Sequence, residues 1–157
     1  MTMTQEPTVS SDAELITFYI QDQAFCVDIM TVREIRGWTP ATALPNAPRY
    51  MRGVINLRGV VLPIMDLAAR LGLPPCEPKA RSVIIVVGVG SKLLGLLVDA
   101  VSDIVTVNRS QIQPAPDFIG DPMQSYVLGL VNVDERLIAV IGTDRLTTGD
   151  DVEALAA

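Results

Sequence analysis

Short aliphatic runs broken by polar or glycine turns repeat along the whole chain. Residues 15–20 and 24–27 read as strands around the turn Gln21-Asp22-Gln23. Asp28 then opens a short helical turn, Ile29-Met30-Thr31-Val32, placed to accept free backbone N–H groups. Residues 34–38 are extended again, and Pro40, Pro45 and Pro48 mark a loop. Residues 53–57 and 60–65 form a hairpin around Arg58-Gly59. Asp66 caps a helix over residues 67–71, which Gly72 and Pro74-Pro75 end. Strands follow at 83–89 and 92–98, then a turn and strand over 99–107. Pro114 and Pro116 mark a second long loop. Residues 126–133 and 136–141 make another hairpin, around Asp134-Glu135. Asp144 opens a last short helix, and residues 150–157 are helical or frayed.

The segment 83–98 imitates a membrane span, since it is apolar apart from Ser91 and Lys92. A spanning helix needs about 20 apolar residues, and a lysine at its centre is costly. Gly90-Ser91 between two aliphatic runs is instead a hairpin signal.

The two halves look duplicated. Val27-Asp28 with Val32-Arg33-Glu34-Ile35 answers Val98-Asp99 with Val101-Ser102-Asp103-Ile104. Gly53-Val54-Ile55-Asn56-Leu57 answers Gly129-Leu130-Val131-Asn132-Val133. Each copy continues through a tight turn into an aliphatic strand and an Asp-led helix. Two copies of about five short strands suggest an all-β architecture of two small barrels. The strands at 83–87, 93–98 and 137–141 do not alternate, so their outer faces must be covered too. The other barrel covers some of them, and a partner protein is the candidate for the rest.

Composition narrows the function. The chain has 157 residues, no histidine, 49% hydrophobic and only 4% aromatic residues. Charged residues are 19% and the net charge is −6. Nucleic acid, which demands a basic footprint, is therefore an unfavoured partner. Without histidine there is no His-based acid/base catalysis and no His metal site. Cys26 and Cys76 have no zinc spacing and read as a small core residue and a loop thiol, at home in a reducing cytoplasm. The polar start, residues 1–11, is not of the secretory kind.

Candidate chemistry is sparse. Asp28, Asp66, Asp99 and Asp144 each sit at a strand junction, and capping of backbone donors explains all four. Gly88-Val89-Gly90-Ser91-Lys92 lacks the spacing of a phosphate loop. Arg58, at a hairpin tip, is either a solvated turn residue or a bidentate hook for a carboxylate or carbonyl. Val32, Glu34 and Arg36 alternate along one extended piece, near Ile35. Trp38 is either core or an interface anchor.

The strings Val32-Arg33-Glu34-Ile35-Arg36-Gly37 and Arg52-Gly53-Val54-Ile55-Asn56-Leu57-Arg58-Gly59-Val60-Val61-Leu62-Pro63-Ile64-Met65-Asp66-Leu67 closely resemble the bacterial chemotaxis coupling protein family, CheW. Further matches lie at residues 96–104 and 112–116. The resemblance implies two SH3-like five-stranded β-barrels around a shared core, interleaved over residues 14–147. Residues 1–13 would be a flexible segment and 148–157 a tail or short helix. It also implies an adaptor without catalysis, cofactor or metal. Such an adaptor links the cytoplasmic tip of chemoreceptors to the regulatory domain of the histidine kinase CheA. A paralogous system controlling surface motility is the alternative output. The resemblance places the adaptor in the cytoplasm at receptor arrays, not inserted in the membrane, and monomeric in isolation. Positions matching the family's receptor- or kinase-sensitive sites are Val32, Glu34, Gly53, Arg58, Val83, Gly95 and Ile104.

Overall fold

A computed structural model describes residues 12–115 and 123–146. The described residues form ten strands in two five-stranded sheets. The strands are β1 (Asp12–Ile20), β2 (Gln23–Asp28), β3 (Val32–Gly37), β4 (Met51–Leu57), β5 (Val60–Asp66), β6 (Val83–Val89), β7 (Lys92–Val98), β8 (Ala100–Asn108), β9 (Val127–Val133) and β10 (Arg136–Ile141). Two short helices, α1 (Leu67–Arg70) and α2 (Met123–Tyr126), follow β5 and precede β9. Tyr126, expected to start a strand, therefore ends a helical turn instead. Residues 12 and 13, expected to belong to a flexible segment, lie in a strand instead, and residues 1–11 lie outside the described residues. β1 begins at Asp12, and Ala13 packs into the interior opposite Val107. The expected tail at 148–157 lies outside the described residues.

One sheet has the order β8-β1-β2-β10-β9 and the other β3-β6-β7-β5-β4. The two orders become identical when β1 and β2 are matched to β6 and β7, and β8, β9 and β10 to β3, β4 and β5. Even the parallel pairs agree, β2 with β10 and β7 with β5. The duplication read from the sequence is thus visible in three dimensions, with one twist. Each barrel joins the leading hairpin of one copy to the three trailing strands of the other.

Gly53 and Gly129 hold the same place in the two copies. A Cβ on Gly53 would lie 2.1 Å from the carbonyl oxygen of Thr42, and one on Gly129 would lie 2.5 Å from that of Gln113. In each barrel an incoming segment crosses the β4 or β9 strand at this point. The bridges are Thr42 with Val54 and Gln113 with Leu130. Only a residue without a side chain lets the two backbones approach so closely.

Of the strands expected to be covered on both faces, β6 and β7 are largely buried, whereas β10 leaves Leu137 exposed. On β2, Cys26 points into a small core with Leu15, Val131, Ile138 and Val140. Its neighbours Phe25 and Val27 belong to a larger core that spans both barrels, with Ile64, Leu96 and Ile84. Alternate residues of one strand thus serve different cores, which is why its sequence is continuously apolar. The Phe18 and Phe25 rings stack across the β1–β2 hairpin with centroids 6.0 Å apart.

Candidate functional site

The β4–β5 hairpin turns on Arg58 and Gly59, both in the left-handed region, with φ of 52° and 86°. Two successive positive φ values match the twist of the flanking strands. Asn56 steadies the turn by accepting the Gly59 N–H at 2.8 Å. The tip throws Arg58 toward β3, where its Nη2 donates to Glu34 Oε1 at 2.7 Å. Arg36 Nη1 donates to the other carboxylate oxygen at 3.4 Å. Arg58 falls between its two sequence readings: its side chain is largely exposed, and it makes a single hydrogen bond, not a bidentate one, to the chain's own Glu34. Val60 and Val61 beside the tip, and Ile35 on the opposite face of β3, are exposed.

The Arg58 hydrogen bond and charge hold the Glu34 carboxyl below its ordinary range, with a smaller pull from Arg36. The native pKa is depressed, so the pair's contribution is present above the unfolded carboxylate pKa. It is lost as pH falls through the native one. In Arg58→Ala, a carbon-detected NMR titration of Glu34 should give a pKa moved up toward the ordinary value. An unmoved titration would show that Arg58 does not hold the carboxylate.

The remaining residues named from sequence are spread more widely. Val32, at the start of β3, is half-buried against the larger core. Val83 faces Gly37 at the far end of the same β3–β6 ladder. Ile104 is exposed on β8, in the other sheet. Gly53 and Gly95 are buried. A Cβ on Gly95 would meet Ile64 Cδ1 at 2.7 Å and Ile84 Cγ2 at 2.9 Å. Both glycines are closely packed positions of the barrel wall. Glu34 and Arg58 are in contact and Val32 lies two positions from Glu34 on β3, while Val83 sits at the far end of that ladder and Ile104 in the other sheet. Trp38 is half-buried against the larger core, and its N–H bonds Ser82 O at 3.0 Å.

The equivalent end of the second barrel has the opposite sign. The β9–β10 turn also uses two positive φ values, 52° at Asp134 and 65° at Glu135. Two carboxylates thus stand where the first barrel presents Arg58 and Gly59. Leu137, matching Val61, is 65% exposed. Behind it lies a groove of about 500 Å³ lined by Tyr19, Phe25, Val127, Leu130, Arg136 and Leu137. The Arg136 guanidinium sits over the Tyr19 ring at 5.8 Å and donates to its hydroxyl.

One expectation about the carboxylates, that for Asp144, needs correction. Asp28 and Asp66 do cap, accepting Met30 N at 2.9 Å and Ala69 N at 3.3 Å. Asp99 also accepts a backbone donor, but a distant one, the Gln21 N–H at 2.5 Å, together with the Cys76 thiol at 3.2 Å. Asp144 lies inside a 3₁₀ turn, Thr143–Arg145, whose preceding residue is Gly142. Cys76 sits in a loop, yet it is buried. Burial pushes its thiol up to about 12, helped by Asp99, and burial alone does the same for Cys26.

A contact missed from the sequence is Arg70 of α1. Its guanidinium lies 4.1 Å from the Tyr50 ring centroid and 5.0 Å from that of Tyr126. Its Nε donates to Leu146 O at 2.6 Å. Tyr50 and Tyr126 precede the equivalent strands β4 and β9, so the two-copy alignment held the signal.

The strongest carboxylate contacts are thus spent on caps, turns and ion pairs that hold the barrels. Among the described residues no group of three or more metal-ligating side chains occurs, and no helix is long and apolar enough to cross a membrane. What the surface offers is exposed aliphatic side chains beside charged hairpin tips. Paired SH3-like barrels with such ends define a contact-making module. Residues 14–150 match the CheW-like domain, and the chain belongs to that family of scaffolds and adaptors. It is 57% identical to a probable chemotaxis protein CheW of Rhizobium etli over 143 residues, covering 91% of this chain and 92% of the relative. It is 51% identical to a chemotaxis protein CheW of Rhizobium meliloti over 98% of this chain and 99% of that one. The crystal structure of the scaffolding protein TtCheW from Thermoanaerobacter tengcongensis superposes with a TM-score of 0.80. The identity there is 27%, over 88% of this chain and 94% of that one.

Proposed function

We propose that this chain couples transmembrane chemoreceptors to the histidine kinase CheA in cytoplasmic signalling arrays, by contact and without catalysis. Family membership supports the class of function. The observation that carries the reading is the pair of barrel ends. Each presents exposed aliphatic side chains beside a hairpin tip, and the tips have opposite sign, Arg58 on one and Asp134-Glu135 on the other. The regulatory domain of the kinase belongs to the same module class by the family resemblance. An end-to-end contact between such modules then matches aliphatic to aliphatic and cation to anion. The receptor tip is helical, and an apolar groove takes a helix through anchors along one face. Val32, Val83 and Ile104 supply such anchors, and Glu34 with Arg58 sets register and orientation.

Arg58→Ala removes the charged tip at a side chain 72% exposed, so the fold should persist. In a reconstituted receptor–kinase mixture, receptor-dependent kinase activation should drop by about tenfold, the loss of one interfacial charge contact. Normal activation by a correctly folded variant would overturn the reading.

A further inference from the structure

The segment joining the two copies, residues 67–82, carries a polar chain from one barrel to the other. On the β3–β7 side, Cys76 is fastened by its backbone. Its N–H donates to Asp66 Oδ2 at 2.9 Å, and its carbonyl accepts from Arg52 Nη2. Arg52 also lies 3.6 Å from the same Asp66 oxygen. Asp66 is 2% exposed, and its other oxygen is held by Ala69 N. The Cys76 Sγ then donates to Asp99 Oδ1 at 3.2 Å. The second Asp99 oxygen accepts the N–H of Gln21 at 2.5 Å, in the β1–β2 turn of the other barrel. Asp99 itself is anchored there by its N–H on Tyr19 O at 3.0 Å.

Gln21 has φ of 56°, a left-handed conformation that costs a non-glycine residue free energy. A tight turn with glycine at this place would carry no such cost. The Asp99 carboxylate reaches in from outside the turn and bonds the N–H of this residue. A carboxylate with one free oxygen could swing away; the thiol on its second oxygen removes that freedom.

We propose that Cys76 is a latch, fixed to one barrel by its backbone, that holds Asp99 in place and so keeps the strained β1–β2 turn of the other barrel closed. The thiol acts here as a hydrogen-bond donor, a role that needs it protonated, and its raised pKa agrees with that state. The latch does not depend on which partners the barrels bind.

Amide hydrogen exchange on the full chain tests it. In Cys76→Ala, the Gln21 N–H should exchange about fivefold to tenfold faster, the size of one lost hydrogen bond. The Val131 amide, in β9 and remote from the latch, should be unchanged. Cys76→Ser keeps a donor and should restore slow exchange at Gln21. Unchanged Gln21 exchange in Cys76→Ala overturns the proposal, as does an equal rise at Val131, which would mean general loosening. A second arm reads the link from its other end. Asp99→Ala should make Cys76 react about tenfold faster with a thiol reagent, because the acceptor that orients and deactivates the thiol is gone. Equal labelling rates also overturn it.

Discussion

Gly95→Asp should not yield a stable folded protein. Gly95 lies in the middle of β7, paired with Val86 on one side and Ile64 on the other. A Cβ there meets Ile64 Cδ1 at 2.7 Å and Ile84 Cγ2 at 2.9 Å, with Leu62 Cδ2 at 3.4 Å. All three neighbours are fully buried, so the carboxylate would have no water and no donor beside it. Overpacking alone costs about 1–3 kcal/mol. An unpaired buried polar group adds a further penalty of about 1–3 kcal/mol or more. The sum, about 2–6 kcal/mol and larger for a carboxylate that stays charged, reaches the lower end of the stability of a typical domain, about 5–15 kcal/mol. Gly95→Ala separates the two terms. Ile64 Cδ1 is the end of a flexible side chain and can yield, whereas Ile84 Cγ2 is a branch methyl that moves only with χ1, so this variant should fold with a lowered Tm. Circular dichroism melts of the two, beside a binding titration, decide the matter. A Gly95→Asp protein that melts near the parent would show that the position is not packed as described.

Gly53→Ala is the second large effect. Gly53 has φ of 138°, a conformation L side chains rarely adopt. Its added Cβ would press 2.1 Å from Thr42 O and 2.6 Å from Thr42 C, which are backbone atoms and cannot rotate aside. The incoming 40s loop must then lift, breaking Thr42 N to Val54 O at 2.8 Å and Val54 N to Thr42 O at 2.9 Å. Backbone strain of about 1–3 kcal/mol and two hydrogen bonds of about 1 kcal/mol each give a loss of roughly 3–5 kcal/mol. Gly129→Ala is the internal control. The contact with Gln113 O is similar at 2.5 Å, but Gly129 has no positive φ. Urea titrations should therefore rank Gly53→Ala as the more damaging. The reverse order would assign the cost to crowding alone.

Strand positions were legible because turns are punctuated locally: Arg58-Gly59, Gly90-Ser91 and Asp134-Glu135 each bend between aliphatic runs. Asp28 and Asp66 were legible for the same reason, since a cap acts within three residues of itself. Asp99 looks equivalent to Asp28 in sequence but serves partners 78 and 23 residues away. Nothing local marks such a role. Glu34 and Arg58 were each singled out, yet their pairing spans 24 residues and needed the hairpin to point across to β3. Gly53 and Gly95 entered as sites through family resemblance. The physical reason for each, a passing carbonyl and a methyl cluster, exists only once the barrels are built. The resemblance implied interleaved barrels, but the exchange of hairpins, that is, which hairpin joins which barrel, was not legible in the residues, because aliphatic strands of either copy would pair with any other by composition.

That exchange sets an order of assembly during synthesis. Strands β3 to β7 are contiguous in the chain, so their sheet can close once β7 has left the ribosome. The other sheet cannot, because β1 and β2 need β8 and β10 as neighbours. At about 5–20 residues per second, the first hairpin waits on the order of ten seconds for its partners. Through that interval Phe18, Ile20 and Phe25 can be shielded on one face by the finished sheet, through the larger core they share with it. Leu15 and Cys26, which face the smaller core, have no such cover until β8, β9 and β10 arrive. The nascent protein is therefore most exposed to misassembly at its oldest strands.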